Sequence, residues 1–193
     1  MAQSLCRLDD FKDNCGFGLM AHIKGAPSHS LLQNAIEALT CMTHRGGVAA
    51  DGKTGDGCGL LLQKPDAFLR SEARAQLGIE LPPLYAVGAV MLNPETAANQ
   101  RARELLNAEL TAQGLDVLGW REVPTDPSCL GEIALRTLPA FAQILVGPGS
   151  TDGAQQFSAR LYMGRRKAEQ QLLDDPRFHI ASMAVGVVSY KGL

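Results

Sequence analysis

A regular alternation of strand and helix patterns, beginning after a proline pair, constrains the fold more than any other feature of the sequence. The clearest boundary in the chain is Leu81-Pro82-Pro83. Beyond it, apolar residues recur with a period of two or of 3.6, which predicts strands and helices respectively. The predicted strands span 85–92, 116–122, 141–146 and 179–190, and the predicted helices span 98–113 and 155–173. The order β-α-β-β-α-β is typical of a ferredoxin-like subdomain, and it predicts an α+β fold.

The residues before this boundary follow a different pattern. Residues 18–24 are predicted to form a short strand, and Pro27-Ser28 then indicates the start of a helix. The apolar residues of that helix fall on one face: Leu31, Leu32, Ala35, Ile36, Leu39 and Met42. After a glycine-rich loop, residues 59–63 are predicted to form a buried strand, and residues 66–76 a second helix.

Bulk properties exclude several classes of function. A net charge of −2 and a pI near 6.1 give no overall attraction to nucleic acid or to an anionic membrane. No stretch approaches the length of a membrane span, and the first residues have no apolar segment of the kind found in secretory signals. The five cysteines are odd in number and irregularly spaced, which argues against a disulfide framework. We therefore expect a cytoplasmic protein.

The segment Asp13-Asn14-Cys15-Gly16-Phe17-Gly18 suggests a specific chemistry. It places a cysteine directly after a short polar leader that could be cut away. If the bond before Cys15 is hydrolysed, this residue carries a thiol and a free α-amine together. The amine titrates at about 7.7 to 8.0 and the thiol near about 8.5, so one residue can hold both a nucleophile and its base. The alternative is a small buried cysteine at the start of a strand.

Further motifs accompany Cys15 along the chain. They read Ala21-His22-Ile23-Lys24-Gly25, Met42-Thr43-His44-Arg45-Gly46-Gly47, Ala50-Asp51-Gly52-Lys53-Thr54-Gly55-Asp56-Gly57-Cys58-Gly59 and, at the end, Ser189-Tyr190-Lys191-Gly192-Leu193. Read together with the Cys15 segment, they resemble the glutaminase domain of the glutamate synthase large subunit. That domain is a class II amidotransferase of the N-terminal-nucleophile hydrolase group.

The resemblance implies an αββα sandwich, present in part, with the β-α-β-β-α-β subdomain inserted into it. It divides the chain into a leader or propeptide at 1–14, a first glutaminase part at 15–80, an inserted subdomain at 81–178 and a return strand at 179–193. The sequence leaves open whether the last strand joins the sheet of the inserted subdomain or returns to the glutaminase sheet.

The resemblance also assigns roles to two residues. It implies that Cys15 is the catalytic nucleophile, whose thiolate attacks the side-chain amide of glutamine, releases ammonia and leaves a thioester that water resolves. Arg45 matches the arginine of the family's His-Arg-Gly motif, where it orients the neighbouring groups and favours the thiolate by its charge. The alternative for Arg45 is a cation that faces the C-terminal end of its own helix dipole. No substrate-binding residue is assigned.

Two other motifs compete with this interpretation. Residues 47–54 satisfy the phosphate-loop pattern G-x-x-x-x-G-K-[ST] letter for letter. That loop requires a strand before the first glycine and a helix at the lysine, whereas here a helix precedes and glycines follow, so we interpret the match as chance. Cys41, His44 and Cys58 suggest a metal site, but no fourth ligand with suitable spacing accompanies them.

The resemblance further implies what surrounds the nucleophile in a whole enzyme. Such glutaminases use an Asn-Gly oxyanion hole and an arginine that clamps the substrate carboxylate, and the matching stretches are absent from these 193 residues. We therefore expect the isolated chain to be inactive. The whole enzyme transfers ammonia to 2-oxoglutarate with FMN, an iron-sulfur cluster and a small electron-donating subunit, and we expect none of these cofactor sites within this chain. The alternative is a non-catalytic interaction or structural module that keeps the fold.

Overall fold

The computed structural model describes residues 16–43, 46–150 and 153–192. Its helices are α1 (His29–Cys41), α2 (Asp66–Leu77), α3 (Thr96–Ala112), α4 (Glu132–Thr137) and α5 (Ala154–Gln171). Its strands are β1 (Cys58–Gln63), β2 (Ala86–Leu92), β3 (Asp116–Glu122), β4 (Ala140–Gly147), β5 (His179–Ala184) and β6 (Val187–Gly192). The strands form two antiparallel sheets, which confirms the α+β class. The αββα sandwich and the residue limits of the four chain segments stay predictions.

The larger sheet has four strands in the order β3-β4-β2-β5, and every neighbouring pair is antiparallel. Alternate residues of a strand face opposite sides of the sheet, so Val90 and Ile144 reach one face. Helices α3 and α5 cover that face with Leu106 and Phe157 among their buried residues. The order of strands and helices from β2 to β5 is the one predicted from the sequence, with α4 as an addition between β3 and β4.

The opposite face of this sheet packs against α2 and the two-stranded sheet. Its cluster includes Leu69 of α2, Val87 of β2 and Val188 of β6. Tyr85 is fully buried here, and Lys64 Nζ lies 3.5 Å from the centre of its ring and donates to its carbonyl oxygen at 3.0 Å. Burial lowers the pKa of the Lys64 ammonium from its ordinary value.

The proline boundary is held against α2 by one arginine. Arg70 Nη1 donates to the Leu81 carbonyl at 2.5 Å, and Nη2 donates to the Pro82 carbonyl at 2.9 Å. Its Nε also donates to Asp66 at 2.7 Å, so the guanidinium is fixed from both sides. The turn that separates the two parts of the chain is therefore anchored to the helix that precedes it.

The predicted single strand at 179–190 is two strands. β5 pairs with β2 in the four-stranded sheet, whereas β6 pairs with β1 in the two-stranded sheet. The break falls at residues 185–186, where the chain bends and the Gly186 carbonyl accepts from the Lys64 amide at 2.8 Å. Both placements that the sequence left open are thus realised, each by one half of the segment.

The N-terminal prediction is only partly confirmed. The strand expected at 18–24 is wrong, because these residues form a turn and irregular backbone, with Leu19 and Ile23 almost fully exposed. A strand must pair its backbone groups with a neighbour, and none of the described residues supplies one here. Helix α1 is present, and the Ser28 hydroxyl accepts from the Leu31 amide at 3.2 Å as an N-cap. It buries none of its residues against the rest of the described chain.

Candidate functional site

Both predicted site residues lie outside the described residues. Cys15 directly precedes Gly16, where the description of the structure begins, and Arg45 directly precedes Gly46, where it resumes after α1. The structure therefore describes the segments that lead into and out of these two positions rather than the side chains themselves.

The segment after Arg45 folds into a tight hairpin, which we call the glycine-rich hairpin (residues 47–56). Val48 and Gly55 pair as an antiparallel bridge, and the Ala49 amide donates to the Thr54 carbonyl at 2.7 Å. At its base, the Gly47 amide donates to Asp56 Oδ2 at 2.7 Å. Its tip turns through Gly52, whose φ of +70° is readily adopted only by glycine. A hairpin turn, and no helix, therefore stands at the lysine of the phosphate-loop pattern.

The tip of the glycine-rich hairpin docks onto the start of α4 through one carboxylate. Asp51 Oδ1 accepts from the amides of Lys53 at 3.1 Å and Thr54 at 2.8 Å. Its Oδ2 accepts from the Thr54 hydroxyl at 2.6 Å and from the Ile133 amide at 3.1 Å. These donors, with the Thr54 hydroxyl foremost, hold the pKa of the Asp51 carboxyl well below its usual range. Asp51 is therefore ionised at neutral pH.

A buried polar network connects β6 to the four-stranded sheet and to α2. The Tyr190 hydroxyl accepts from Gln143 Nε2 at 3.0 Å, and Gln143 Oε1 accepts from Arg121 Nη1 at 3.1 Å. Arg121 Nη2 and Nε then donate to Glu72 Oε2 at 2.8 and 3.2 Å. Gln143 is fully buried and Arg121 nearly so, so the network satisfies polar groups that have no access to water.

A cavity of about 340 Å³ opens beside the end of β6, on the face of the four-stranded sheet that α3 and α5 leave uncovered. Met91 and Phe141 form its apolar floor, Tyr190 and Lys191 line one wall, and Cys129 lies on the connection between β3 and β4. A small space lined mainly by apolar groups with a few polar ones is typical of ligand pockets.

Sequence reasoning missed the residues that tie these elements together. Asp51 and Thr54 were noted only as letters of the family motif and of the phosphate-loop match, without a role of their own, and Arg121 belonged to no recognised motif. A glutamine inside the apolar strand sequence Phe141-Ala142-Gln143-Ile144-Leu145-Val146 was the available signal, because a polar side chain buried in a strand requires a partner.

The described residues include no group of three or more His, Cys, Asp or Glu side chains placed to hold a metal ion. Within the same part of the chain, no helix is both long and apolar enough to cross a membrane. His44, one of the residues considered for a metal site, lies outside the described residues.

Comparison with known proteins identifies the family. The family of class-II glutamine amidotransferases matches residues 15–193. The chain is 36% identical over its whole length to a glutamate synthase (NADPH) large chain of Bacillus subtilis. It is also 36% identical, over 96% of its length, to the corresponding chain of Azospirillum brasilense. To a ferredoxin-dependent glutamate synthase of Synechocystis it is 34% identical over 94% of its length. It spans only 12 to 13% of the length of these curated relatives. The chain therefore belongs to the class-II glutamine amidotransferases.

Proposed function

We propose that this chain is the N-terminal portion of a glutamate synthase glutaminase domain, which hydrolyses glutamine to glutamate and ammonia. Cys15 is the nucleophile once residues 1–14 have been removed. The supporting observation is that the family match begins at Cys15 itself and continues to residue 193. A nucleophile that uses its own α-amine as base must stand at the first position of the mature chain.

The chemistry follows from the two groups of one residue. The α-amine accepts the thiol proton, and the thiolate sulfur attacks the side-chain carbonyl carbon of glutamine. The resulting ammonium donates a proton to the departing nitrogen, which leaves as ammonia, and a thioester remains. A water molecule then attacks the thioester carbonyl, gives a proton to the amine and releases glutamate with the thiolate as leaving group. The thiolate finally recovers that proton, so that the residue is restored.

Arg45 supports this chemistry in the proposal. A guanidinium next to the nucleophile lowers the pKa of the thiol by favouring its charged form. It also donates hydrogen bonds that orient the carbonyl groups around the free terminus.

We assign the remaining machinery to the longer protein that the relatives represent. In this proposal the Asn-Gly oxyanion hole, the arginine that clamps the substrate carboxylate, FMN, the iron-sulfur cluster and contacts to a small electron-donating subunit all lie outside residues 1–193. Ammonia released at Cys15 is passed on to 2-oxoglutarate there.

The first test is the mass of the mature complete protein together with labelling by an alkylating glutamine mimic. We expect a mature N-terminus at Cys15 and one label per chain on that residue. Cys15→Ala removes the label, whereas Cys129→Ala, which deletes another exposed thiol, leaves labelling unchanged. A mature protein that retains Met1, or a label that persists in Cys15→Ala, would overturn the proposal and favour a non-catalytic module.

A further inference from the structure

The cavity beside β6 has a floor formed by one row of residues across three strands. Met91 of β2 lies opposite Phe141 of β4 on one side and opposite His179 of β5 on the other. Directly opposed residues of antiparallel strands project to the same face of the sheet, so these three side chains lie in one row. Met91 and Phe141 line the cavity, and His179 continues the row beyond them. The floor is therefore apolar at one end and carries an imidazole at the other.

Strand β6 forms one wall of the cavity because polar contacts hold it above the next row on the same face. That row contains Gln143 of β4 and Ser182 of β5. Gln143 Nε2 donates to the Tyr190 hydroxyl at 3.0 Å, and the Ser189 amide donates to Ser182 Oγ at 2.8 Å. Gln143 is fully buried and Ser182 nearly so. The two contacts fix β6 at the point where Tyr190 and Lys191 enter the lining of the cavity.

The connection between β3 and β4 (residues 123–131) forms the opposite wall. Asp126 Oδ1 accepts from the Ser128 amide at 3.0 Å and so caps a short helical turn within the connection. Where the connection enters α4, Asp51 of the glycine-rich hairpin accepts from the Ile133 amide at 3.1 Å. Protein groups alone thus hold this wall in place, as in ligand pockets that are largely preformed.

A cation stands at the rim of this cavity without a carboxylate partner. Lys191 Nζ lies 3.2 Å from Nε2 of His179. An ammonium group only donates, so Nε2 is the accepting nitrogen of the imidazole. Within the part of the chain that the structure describes, no Asp or Glu side chain lies at ion-pair distance from the Lys191 ammonium. The positive charge at this end of the cavity is therefore complementary to an anionic group.

We propose that the cavity binds a small carboxylic acid with an apolar body, such as an aromatic or branched side chain. The body packs on Met91 and Phe141 of the floor, and the carboxylate pairs with the Lys191 ammonium at the rim. The volume of about 340 Å³ falls within the range of small-molecule pockets, about 300 to 1,000 Å³. This inference goes beyond the proposed function and does not depend on it.

The combination of the two contacts determines which ligands are selected. A charge-assisted hydrogen bond is about twice as strong as a neutral one, so an uncharged analogue of the acid loses affinity at Lys191. An acid without an apolar body keeps that contact but gains nothing from the floor, because the gain from burial scales with the apolar area removed from water.

The experiment is isothermal titration calorimetry of the complete protein with three matched probes. Hydrocinnamate carries a phenyl ring on a short acid chain, hydrocinnamide keeps the ring without the charge, and propionate keeps the charge without the ring. We expect hydrocinnamate to bind at one site per chain with a dissociation constant of about 0.1 to 1 mM. We expect each of the other two probes to bind about tenfold more weakly.

The place of binding is read from Cys129, whose exposed thiol lies in the wall of the cavity. Alkylation of each cysteine by iodoacetamide is followed by peptide mass spectrometry, with hydrocinnamate absent or at about 10 times its dissociation constant. We expect the bound probe to slow alkylation of Cys129 by about five- to tenfold. Cys41 on α1 is also exposed but does not line the cavity, so its alkylation should keep the same rate.

Two variants and one control separate the charge from the apolar floor. Lys191→Met removes the charge and keeps an apolar stem, whereas Ala181→Leu adds bulk to the lining. Lys167→Met removes the same charge from an exposed lysine of α5 that does not line the cavity. Hydrogen exchange of peptides from β2 and β4, equal to that of the wild type, checks that each variant keeps the sheet folded.

We expect Lys191→Met to weaken the binding of hydrocinnamate by about tenfold and to leave that of hydrocinnamide unchanged. Ala181→Leu should weaken both probes by about tenfold, because it occupies space that the ring needs. Lys167→Met should bind all three probes as the wild type does.

Several results would overturn the proposal. Binding of hydrocinnamate that leaves alkylation of Cys129 unchanged places the probe elsewhere in the protein. Equal affinities for hydrocinnamate and hydrocinnamide, or an unchanged affinity in Lys191→Met, would refute the role of the charge. A cavity filled by another part of the complete protein gives neither binding nor protection of Cys129, and this result refutes the site. Labelling of Cys15 is measured separately, so the proposed function stands or falls independently of these outcomes.

Discussion

Removing Glu72 tests whether the buried network stabilises the contact between α2 and the four-stranded sheet. The side chain of Arg121 is 6% exposed and that of Glu72 is 26% exposed, and two guanidinium nitrogens of Arg121 share Glu72 Oε2. Glu72→Ala keeps a good helix former in α2 but leaves the buried guanidinium with Gln143 as its remaining hydrogen-bond partner in the network.

The expected loss of stability in Glu72→Ala follows from how deeply the Arg121 guanidinium is buried. Breaking one side of a fully buried ion pair costs about 3 to 5 kcal/mol, because the remaining charge is left without compensation. A quarter of the Glu72 side chain reaches solvent, so water enters the space that the mutation leaves, and we expect about 3 kcal/mol. For a urea m-value of about 2 kcal/mol/M, the unfolding midpoint falls by about 1.5 M.

The measurement is urea unfolding of the chain and its variants, followed by far-UV circular dichroism. Asp174→Ala is the control, since Asp174 pairs with Arg101 on the surface at 2.8 Å and both side chains are more than half exposed. We expect the control to leave the midpoint nearly unchanged. The double variant Glu72→Leu with Arg121→Met should recover most of the loss, because no uncompensated charge remains. If Glu72→Ala were as mild as the surface control, the argument from burial would be wrong.

Three smaller predictions concern other contacts. Gly164→Ala places a Cβ atom 3.0 Å from Leu110 Cδ2 between α5 and α3, so we expect a loss of about 1 to 2 kcal/mol by urea unfolding despite the better helix propensity of alanine. Tyr85→Phe should lower the free energy of unfolding by less than about 1 kcal/mol in the same assay, because the buried hydroxyl has no hydrogen-bond partner among the described residues. Tyr85→Leu should lower it clearly more, because it removes the ring on which the Lys64 ammonium lies. Burial, and after it the charges of Lys191 and Arg165, lower the pKa of His179 from its ordinary value of 6.5. The neutral imidazole therefore contributes stability above about pH 6.5, and this contribution is lost as the pH falls below that value. In the free energy of unfolding measured across pH, His179→Gln should remove this part of the pH dependence.

The sequence was sufficient to predict the order of strands and helices where the local apolar pattern and the tertiary packing agree. The elements from β2 to β5 alternate between periods of two and 3.6, and their apolar faces meet in one core, so that the predicted order matches the structure. Helix α4 was missed because six residues are too few to show a period, and because its capping groups lie in the glycine-rich hairpin.

Pattern alone failed where a segment depends on its neighbours. Residues 18–24 have the alternation of a strand, but among the described residues no other strand lies beside them. The segment 179–190 reads as one strand, since the bend at 185–186 changes which sheet it joins without changing its apolar character. Pairing partners are a property of the assembled fold, and the periodicity of one segment carries no information about them.

The four-stranded sheet acts as the reference to which α2, β6 and the glycine-rich hairpin are fixed. Apolar packing brings α2 and β6 against it, but dispersion and burial are not directional and allow sliding. Three polar contacts remove that freedom: Arg121 on Glu72 fixes α2, Gln143 on the Tyr190 hydroxyl fixes β6, and the start of α4 fixes the tip of the glycine-rich hairpin. Each contact requires its own donor and acceptor geometry, and a shift of α2 or β6 would deprive Arg121 or Gln143, both buried, of a hydrogen-bond partner. The four-stranded sheet thereby fixes α2 and β6 directly and, through α4, the tip of the glycine-rich hairpin.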